Sequence, residues 1–339
     1  MSIGSKAGEF LYRPAESAVC GSVLCDRHLK LVPKSRLVPF AGYLMPLWYS
    51  SISREHQAVR EKAGMFDCTH MGVLEVAGPG AEDFLNEVTT NDLRRLRTGG
   101  AQYGYMLDAS GRVLDDVIVY RRWTDKFMVV VNAANEAKVR AYLDGIRAGS
   151  VVVDVHDERR RIGHFPVIRD MRDTANCVDC RCDIAVQGPA SGRIVASLAN
   201  GTLKKELETL KPFTFIESHI GEIDCIISRT GYTGSRTGYE LFVHPDRAGE
   251  LWDMLLENGA EEGLVPCGLG ARDSLRIEAG LPLYGHELNG EFGISPFEAG
   301  YGWAVKAEKA FFIGRDAMLK VAAGYGREVV RLELPGKAG

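Results

Sequence analysis

Between residues 103 and 131 apolar positions alternate with polar ones or run in short blocks between turn residues, the pattern of a β-meander. Asp108-Ala109-Ser110-Gly111 puts glycine last in a four-residue turn, and Trp123-Thr124-Asp125-Lys126 separates the next two strands. Phe127 to Val131 is apolar throughout and runs into Asn132; beyond it, Val139, Tyr142, Leu143 and Ile146 recur at helical spacing over 136–146. The same order of strand, polar link and helix returns roughly 110 residues later, a longer period than solenoid repeats use. There Tyr239 to Val243 forms the strand, and a helix over 248–256 carries Leu251, Met254 and Leu255 on one face. Upstream, Leu74-Glu75-Val76, Gly78-Pro79 and a helix over 82–88 match Ile184-Ala185-Val186, Gly188-Pro189 and a helix over 192–198. The correspondence predicts an α+β fold built from a duplicated sheet-plus-helix unit, with antiparallel strands, helices on one side, and a cleft where the units face each other. The irregular, charged stretch 147–183 reads as a long exposed connection.

The exceptions to this pattern point to chemistry. GRVLDDVIVY, residues 111–120, sets Asp115 and Asp116 inside an apolar strand. Strand alternation puts Val113, Asp115, Val117 and Val119 on one face and Leu114, Asp116, Ile118 and Tyr120 on the other, so the carboxylates point in opposite directions. A carboxylate among apolar neighbours needs hydrogen-bond partners or a raised pKa. Either one aspartate is buried for a purpose, or one caps the hairpin and the other sits at a solvent edge. Glu240 is a second acid in an apolar strand, after a loop (229–240) whose Gly231, Gly234 and Gly238 permit positive φ angles and expose Tyr232. In a helix over 271–279, Asp273 lies three residues before Arg276 and is expected to pair with it, leaving Arg272 in the first turn free to reach a ligand.

Composition narrows the function. At 339 residues the chain is long enough for two or three domains. A net charge of −4, without a long block of like charge, gives no footprint for nucleic acid or an anionic membrane surface. No run approaches the apolar length of a membrane span, and the first 36 residues lack a signal-peptide core, so a soluble cytoplasmic protein is expected. Eight cysteines in such a chain read as reduced thiols. Cys177, Cys180 and Cys182 could contribute to a metal site, but no fourth ligand is adjacent, and a surface turn is the simpler reading. No zinc, nucleophile-triad or dinucleotide motif is present, and no resident metal is expected.

Several collinear stretches resemble one family: PFAGYLMPLWY (39–49), AGMFDCTHMG (63–72), GRVLDDVIVY (111–120), VVNAANEAK (130–138), RTGYTG with GYELF, and PCGLGARDSLRIEAGLPLYGHEL (266–288). Together they are similar to the aminomethyltransferase, or T-protein, family of the glycine cleavage system, from about Leu37 onward. That resemblance implies tetrahydrofolate as co-substrate, a lipoyl group carried by a partner H-protein as donor, and Asp116 as the catalytic aspartate. It further implies folate-pocket positions at Met71, Tyr103, Tyr120, Asn132, Tyr232, Glu240, Arg272 and Tyr284. The expected organisation is an N-terminal segment (1–36), two α+β folate-binding units (37–150 and 151–290) around a central folate cleft, and the start of a C-terminal region (291–339), with the family's C-terminal β-barrel largely missing. Folate-dependent demethylases of O- or S-methyl compounds and folate-binding assembly proteins share the fold and are the alternatives. The sequence departs from the family pattern at Tyr43, usually Trp, at His286, and at Ser235-Arg236-Thr237 in the glycine loop.

Overall fold

The computed structural model describes residues 7–14, 18–175, 177–289 and 292–332. The described chain begins with a strap: β1 (Cys20–Gly21), α1 (Cys25–Leu31), β2 (Leu37–Phe40) and β3 (Tyr43–Pro46), with the three strands in one small sheet. Helix α2 (Ile52–Glu61) comes next, its first turn capped by the Ser51 hydroxyl, which accepts from the Arg54 amide. After it lie β4 (Ala63–Asp67), β5 (Gly72–Ala77) and α3 (Ala81–Val88). The meander is β6 (Ala101–Leu107), β7 (Val113–Trp123) and β8 (Lys126–Val131), and α4 (Glu136–Arg147) closes the first half.

After β9 (Val167–Asp170) the order repeats, with β10 (Cys182–Gln187), α5 (Ser191–Ser197), α6 (Gly201–Thr209), β11 (Phe215–Ile220), β12 (Ile223–Ser228), β13 (Gly238–Val243) and α7 (Pro245–Gly259). Strand β14 (Leu264–Cys267), α8 (Leu269–Ala279) and α9 (Arg315–Ala323) complete the regular structure. Among the described residues, the chain beyond β14 is helical or irregular apart from an isolated bridge between Tyr284 and Leu288.

The repeat seen in the hydrophobic pattern is visible in the strand order. One sheet runs β6-β7-β8-β5-β9 and the other β11-β12-β13-β10-β4-β14, so four strands occupy equivalent places in each. The fifth place is exchanged. β4 immediately precedes β5 in the chain but pairs with β10, while β9 precedes β10 but pairs with β5. Each half thus donates a strand to the other's sheet, which ties the two sheets together by backbone hydrogen bonds. The ladders are antiparallel except that β14 lies parallel to β4 and β1 parallel to β3, a departure from the all-antiparallel expectation. The βα connection through α7 supplies the crossover that the parallel β14 requires.

Apolar side chains then sort the layers. Leu74, Val117, Val129 and Val131 pack under α3 and α4, which contribute Phe84, Leu85, Val139 and Tyr142. Ile184, Leu241 and Val243 pack under α5, α6 and α7, with Ile194, Leu203 and Trp252. Between the sheets lies a third cluster of Val73, Tyr120, Met128, Phe215, Ile226 and Phe242. Helices therefore cover the outer face of each sheet, and the inner faces meet.

Two expectations need correction. The bulge between Met106 and Leu107 moves Leu114 out of strict alternation, and it packs with Val117 and Val119 instead of sharing a face with Asp116. The cysteine segment is not a surface turn: Cys177, Cys180 and Cys182 are buried, the first two between the sheets, and only Val178 at the tip projects into solvent. Among the described residues no three His, Cys, Asp or Glu side chains are grouped to hold a metal ion, and no helix is long and apolar enough to cross a membrane.

Candidate active site

Where the inner faces of the sheets separate, they leave a cavity of about 490 Å³. Seven of the nine residues that the family resemblance singles out line it: Met71, Tyr103, Asp116, Asn132, Tyr232, Glu240 and Arg272. The other two do not. Tyr120 is fully buried behind the wall, its hydroxyl 3.3 Å from the Thr230 hydroxyl and 3.4 Å from Glu240 Oε2. Tyr284 receives a hydrogen bond from the Lys138 ammonium at 2.7 Å and another from the Asn289 amide at 3.1 Å, outside the lining.

On the five-stranded side, β7 presents Asp116 to the cavity while Asp115 points into the protein. The Tyr103 hydroxyl, from the neighbouring β6, donates to Asp116 Oδ2 at 3.0 Å. Asn132, at the end of β8, donates through Nδ2 to Asp116 Oδ1 at 2.7 Å and to Asp115 Oδ1 at 2.8 Å. Its backbone N–H and the Asn135 amide complete the ring of donors around Asp115. One amide thus bridges two carboxylates that point in opposite directions. Burial raises both above the ordinary carboxylate range; Asp115, which also feels the Asp116 charge, is pushed up to about 7, whereas the Tyr103 and Asn132 hydrogen bonds hold Asp116 back. The Tyr103 and Asn132 hydrogen bonds favour the charged form of the cavity-facing member.

On the six-stranded side, β13 presents Glu240, which accepts a short hydrogen bond from the Thr230 hydroxyl. Helix α8 sends in Arg272, whose guanidinium lies 3.3 Å from the Cys68 sulfur and 5.0 Å from the centre of the Tyr232 ring. Tyr232 is half-buried, not exposed, because its hydroxyl donates to the Pro282 carbonyl at 2.8 Å. The glycine loop needs its composition for a different reason from the one expected. Only Gly234 has a positive φ, at 73°, while a Cβ at Gly231 or Gly238 would collide with the Gln187 amide packed between them. Gln187 in turn donates to the Thr230 carbonyl at 3.2 Å, which fixes the strand end that carries Glu240's partner. The expected Asp273–Arg276 pair forms at 2.8 Å, and Arg276 also binds Glu287 at 2.6 Å. His286 is exposed.

Further wall residues escaped the sequence reading, among them Asp183, Tyr301, Trp303 and Arg331. Asp183 carried the same signal as Asp116 and Glu240, a lone acid inside an apolar strand. Tyr301 and Trp303 form an aromatic cluster with Tyr103, with ring centres about 6 Å apart, and nothing local in the sequence marks them.

The chain is similar to known proteins in sequence and fold. A family profile described as the GCVT N-terminal domain covers residues 24–309. The chain belongs to the T-protein (GCVT) family. An aminomethyltransferase from Symbiobacterium thermophilum is 41% identical over 315 residues, which span 92% of this chain and 77% of the relative. One from Streptomyces avermitilis is 43% identical over 288 residues, 85% of this chain and 70% of the relative. The crystal structure of the glycine cleavage system aminomethyltransferase T from Bartonella henselae superposes with a TM-score of 0.74 at 30% identity, over 90% of this chain and 75% of that one. The protein is a transferase of the aminomethyltransferase type.

Proposed function

We propose that the chain transfers the one-carbon unit of an aminomethyl group, borne on the lipoyl arm of an H-protein, to tetrahydrofolate, giving 5,10-methylenetetrahydrofolate and ammonia. The observation that carries this reading is Asp116, a carboxylate on a cavity wall with one donor fixed on each oxygen. The cavity suits a reduced pterin: Met71, Ile118 and Val130 give apolar walls, and Glu240 with Arg272 gives an acceptor and a cation at one side. The two folate amines form C–N bonds to the lipoyl-borne carbon, whose bond to nitrogen breaks to release ammonia and whose bond to sulfur breaks to return the reduced dihydrolipoyl thiol on the H-protein. Asp116 then holds or accepts the proton at the amine facing it and stabilises positive charge there, a task that its ionised state serves. Asn132 and Tyr103 fix its orientation, Asp115 holds Asn132, and Glu240 accepts from ring N–H groups. Lodged between the two sheets, the ring is kept in line and away from bulk water.

The test is tetrahydrofolate-dependent ammonia release from aminomethyl-loaded H-protein, run with the wild type and Asp116→Asn. The variant should bind tetrahydrofolate with little change and lose about 10²- to 10⁴-fold in turnover, the usual contribution of a positioned acid or base. An unchanged rate would sink the assignment.

A further inference from the structure

Asp183 is the acid in the cavity wall that this mechanism leaves unused. It lies on β10, in the six-stranded sheet, and is 2% exposed. Its Oδ1 has no hydrogen-bond partner, while Glu240 beside it on β13 has the Thr230 hydroxyl. The groups facing Asp183 come from every element packed around it. They are Glu240 on β13, Arg272 on α8, Asp67 and Cys68 at the end of β4 and Tyr120 on β7, while Cys182 on its own strand and Cys225 on β12 lie across the sheet in the outer cluster. Arg272 is the single cation of that set, set against three carboxyls. Asp67 is satisfied elsewhere, by His28 and Ser22, each at 2.7 Å.

Burial, a bare oxygen and a neighbouring carboxyl all favour the neutral acid at Asp183. Burial and then the neighbouring Glu240 charge push Asp183 far above the ordinary carboxylate range. Glu240 is raised less, because Thr230, Arg272 and Tyr120 favour its charged form. Burial likewise raises the Cys68, Cys182, Cys225 and Tyr120 groups above their ordinary ranges.

We infer that Asp183 is a specificity residue: its carboxyl O–H donates to the ring carbonyl of the bound heterocycle while Glu240 accepts from the adjacent ring N–H and amino groups. The two acids together then read a 2-amino-4-oxo edge, donor against acceptor and acceptor against donors, and reject a 2,4-diamino edge. This inference rests on the folate reading of the cavity and adds the rule by which the ring is chosen.

The experiment compares binding of 5-formyltetrahydrofolate with that of its 4-amino counterpart, which replaces the ring carbonyl by a donor, for the wild type, Asp183→Asn and Asp183→Leu. Thermal unfolding of each variant confirms that it is folded. The wild type should prefer the 4-oxo ligand by about tenfold or more, since a mismatch leaves a buried polar group unpaired. Asp183→Leu should lose that preference. Asp183→Asn, whose amide still donates but does not titrate, should keep it. The variants should also differ in pH response: wild-type affinity for the 4-oxo ligand falls as pH rises and Asp183 loses its proton, and Asp183→Asn removes the part of that fall which belongs to Asp183. If the wild type binds the 4-oxo ligand but Asp183→Leu discriminates as the wild type does, the inference fails and the folate reading stands. If the wild type binds neither ligand, both fall together.

Discussion

The two walls of the cavity carry acids in opposite circumstances. On the five-stranded wall, Asp115 and Asp116 are surrounded by neutral donors, namely a phenol, two amides and a backbone N–H, without a cation in hydrogen-bonding contact. On the six-stranded wall, Asp183 and Glu240 share one buried cation, Arg272. Neutral donors orient a carboxylate while leaving its charge available to a reacting centre; a fixed cation neutralises charge and holds a ligand in place. On the function proposed above, the first wall handles protons and the second grips the ligand. The difference teaches that the duplication supplied two equivalent sheets on which unlike chemistry was grafted.

Removing Arg272 tests this division most severely. Arg272→Met leaves Asp183 and Glu240 without their cation in a dry interior, and unfolding stability should drop by about 2 kcal/mol or more, with folate affinity falling alongside. Thermal or urea unfolding at neutral pH measures the first effect. Asp116→Asn, by contrast, should leave stability unchanged or slightly improved, because it removes a charge that burial disfavours. If both variants unfold equally easily, the two walls do not differ in this way.

A milder probe acts on the five-stranded wall. Asn132→Ala removes donors from both aspartates, and each such donor lowers its acceptor's pKa. Losing them raises both values, so protonation of Asp116 begins at higher pH. The acid limb of the turnover profile should therefore move to higher pH, with activity partly regained as pH rises. A profile that keeps its acid limb in place, with turnover uniformly lower, would assign Asn132 to positioning alone.

How far the sequence foretold these walls depends on the range of the signal. Period-two runs separated by turns located the meander, and the strand-link-helix order located its repeat, because both are local patterns. The exchange of β4 and β9 was not legible: both are ordinary short strands, and which sheet they join is decided by partners 90 or more residues away. Acids in apolar strands marked Asp116 and Glu240, and the same rule applied without exception would have found Asp183. It could not show which of Asp115 and Asp116 faces the cavity, since alternation makes the two faces equivalent until a partner sheet covers one. Tyr301 and Trp303 lie in an irregular segment where no periodicity exists to be read.

Tyr120 gives the finest test, because the family resemblance placed it in the folate pocket, on the face that alternation shares with Asp116, whereas its ring lies in the cluster between the sheets. The ring meets Phe215 and Phe242 edge-on at 5.6 and 5.4 Å, and the hydroxyl makes only two long hydrogen bonds, at 3.3 and 3.4 Å. Tyr120→Phe keeps every ring contact. It deletes a weak donor from Glu240, which retains the Thr230 hydroxyl. The expected cost is about 1 kcal/mol in unfolding stability, with less than about fivefold change in folate affinity and no change in turnover at saturation. Tyr103→Phe, one strand away, removes the donor that touches Asp116 and should lower turnover instead. A Tyr120→Phe variant that lost turnover as Tyr103→Phe does would place its hydroxyl at the ligand, and the boundary between the cavity wall and the core behind it would have to move.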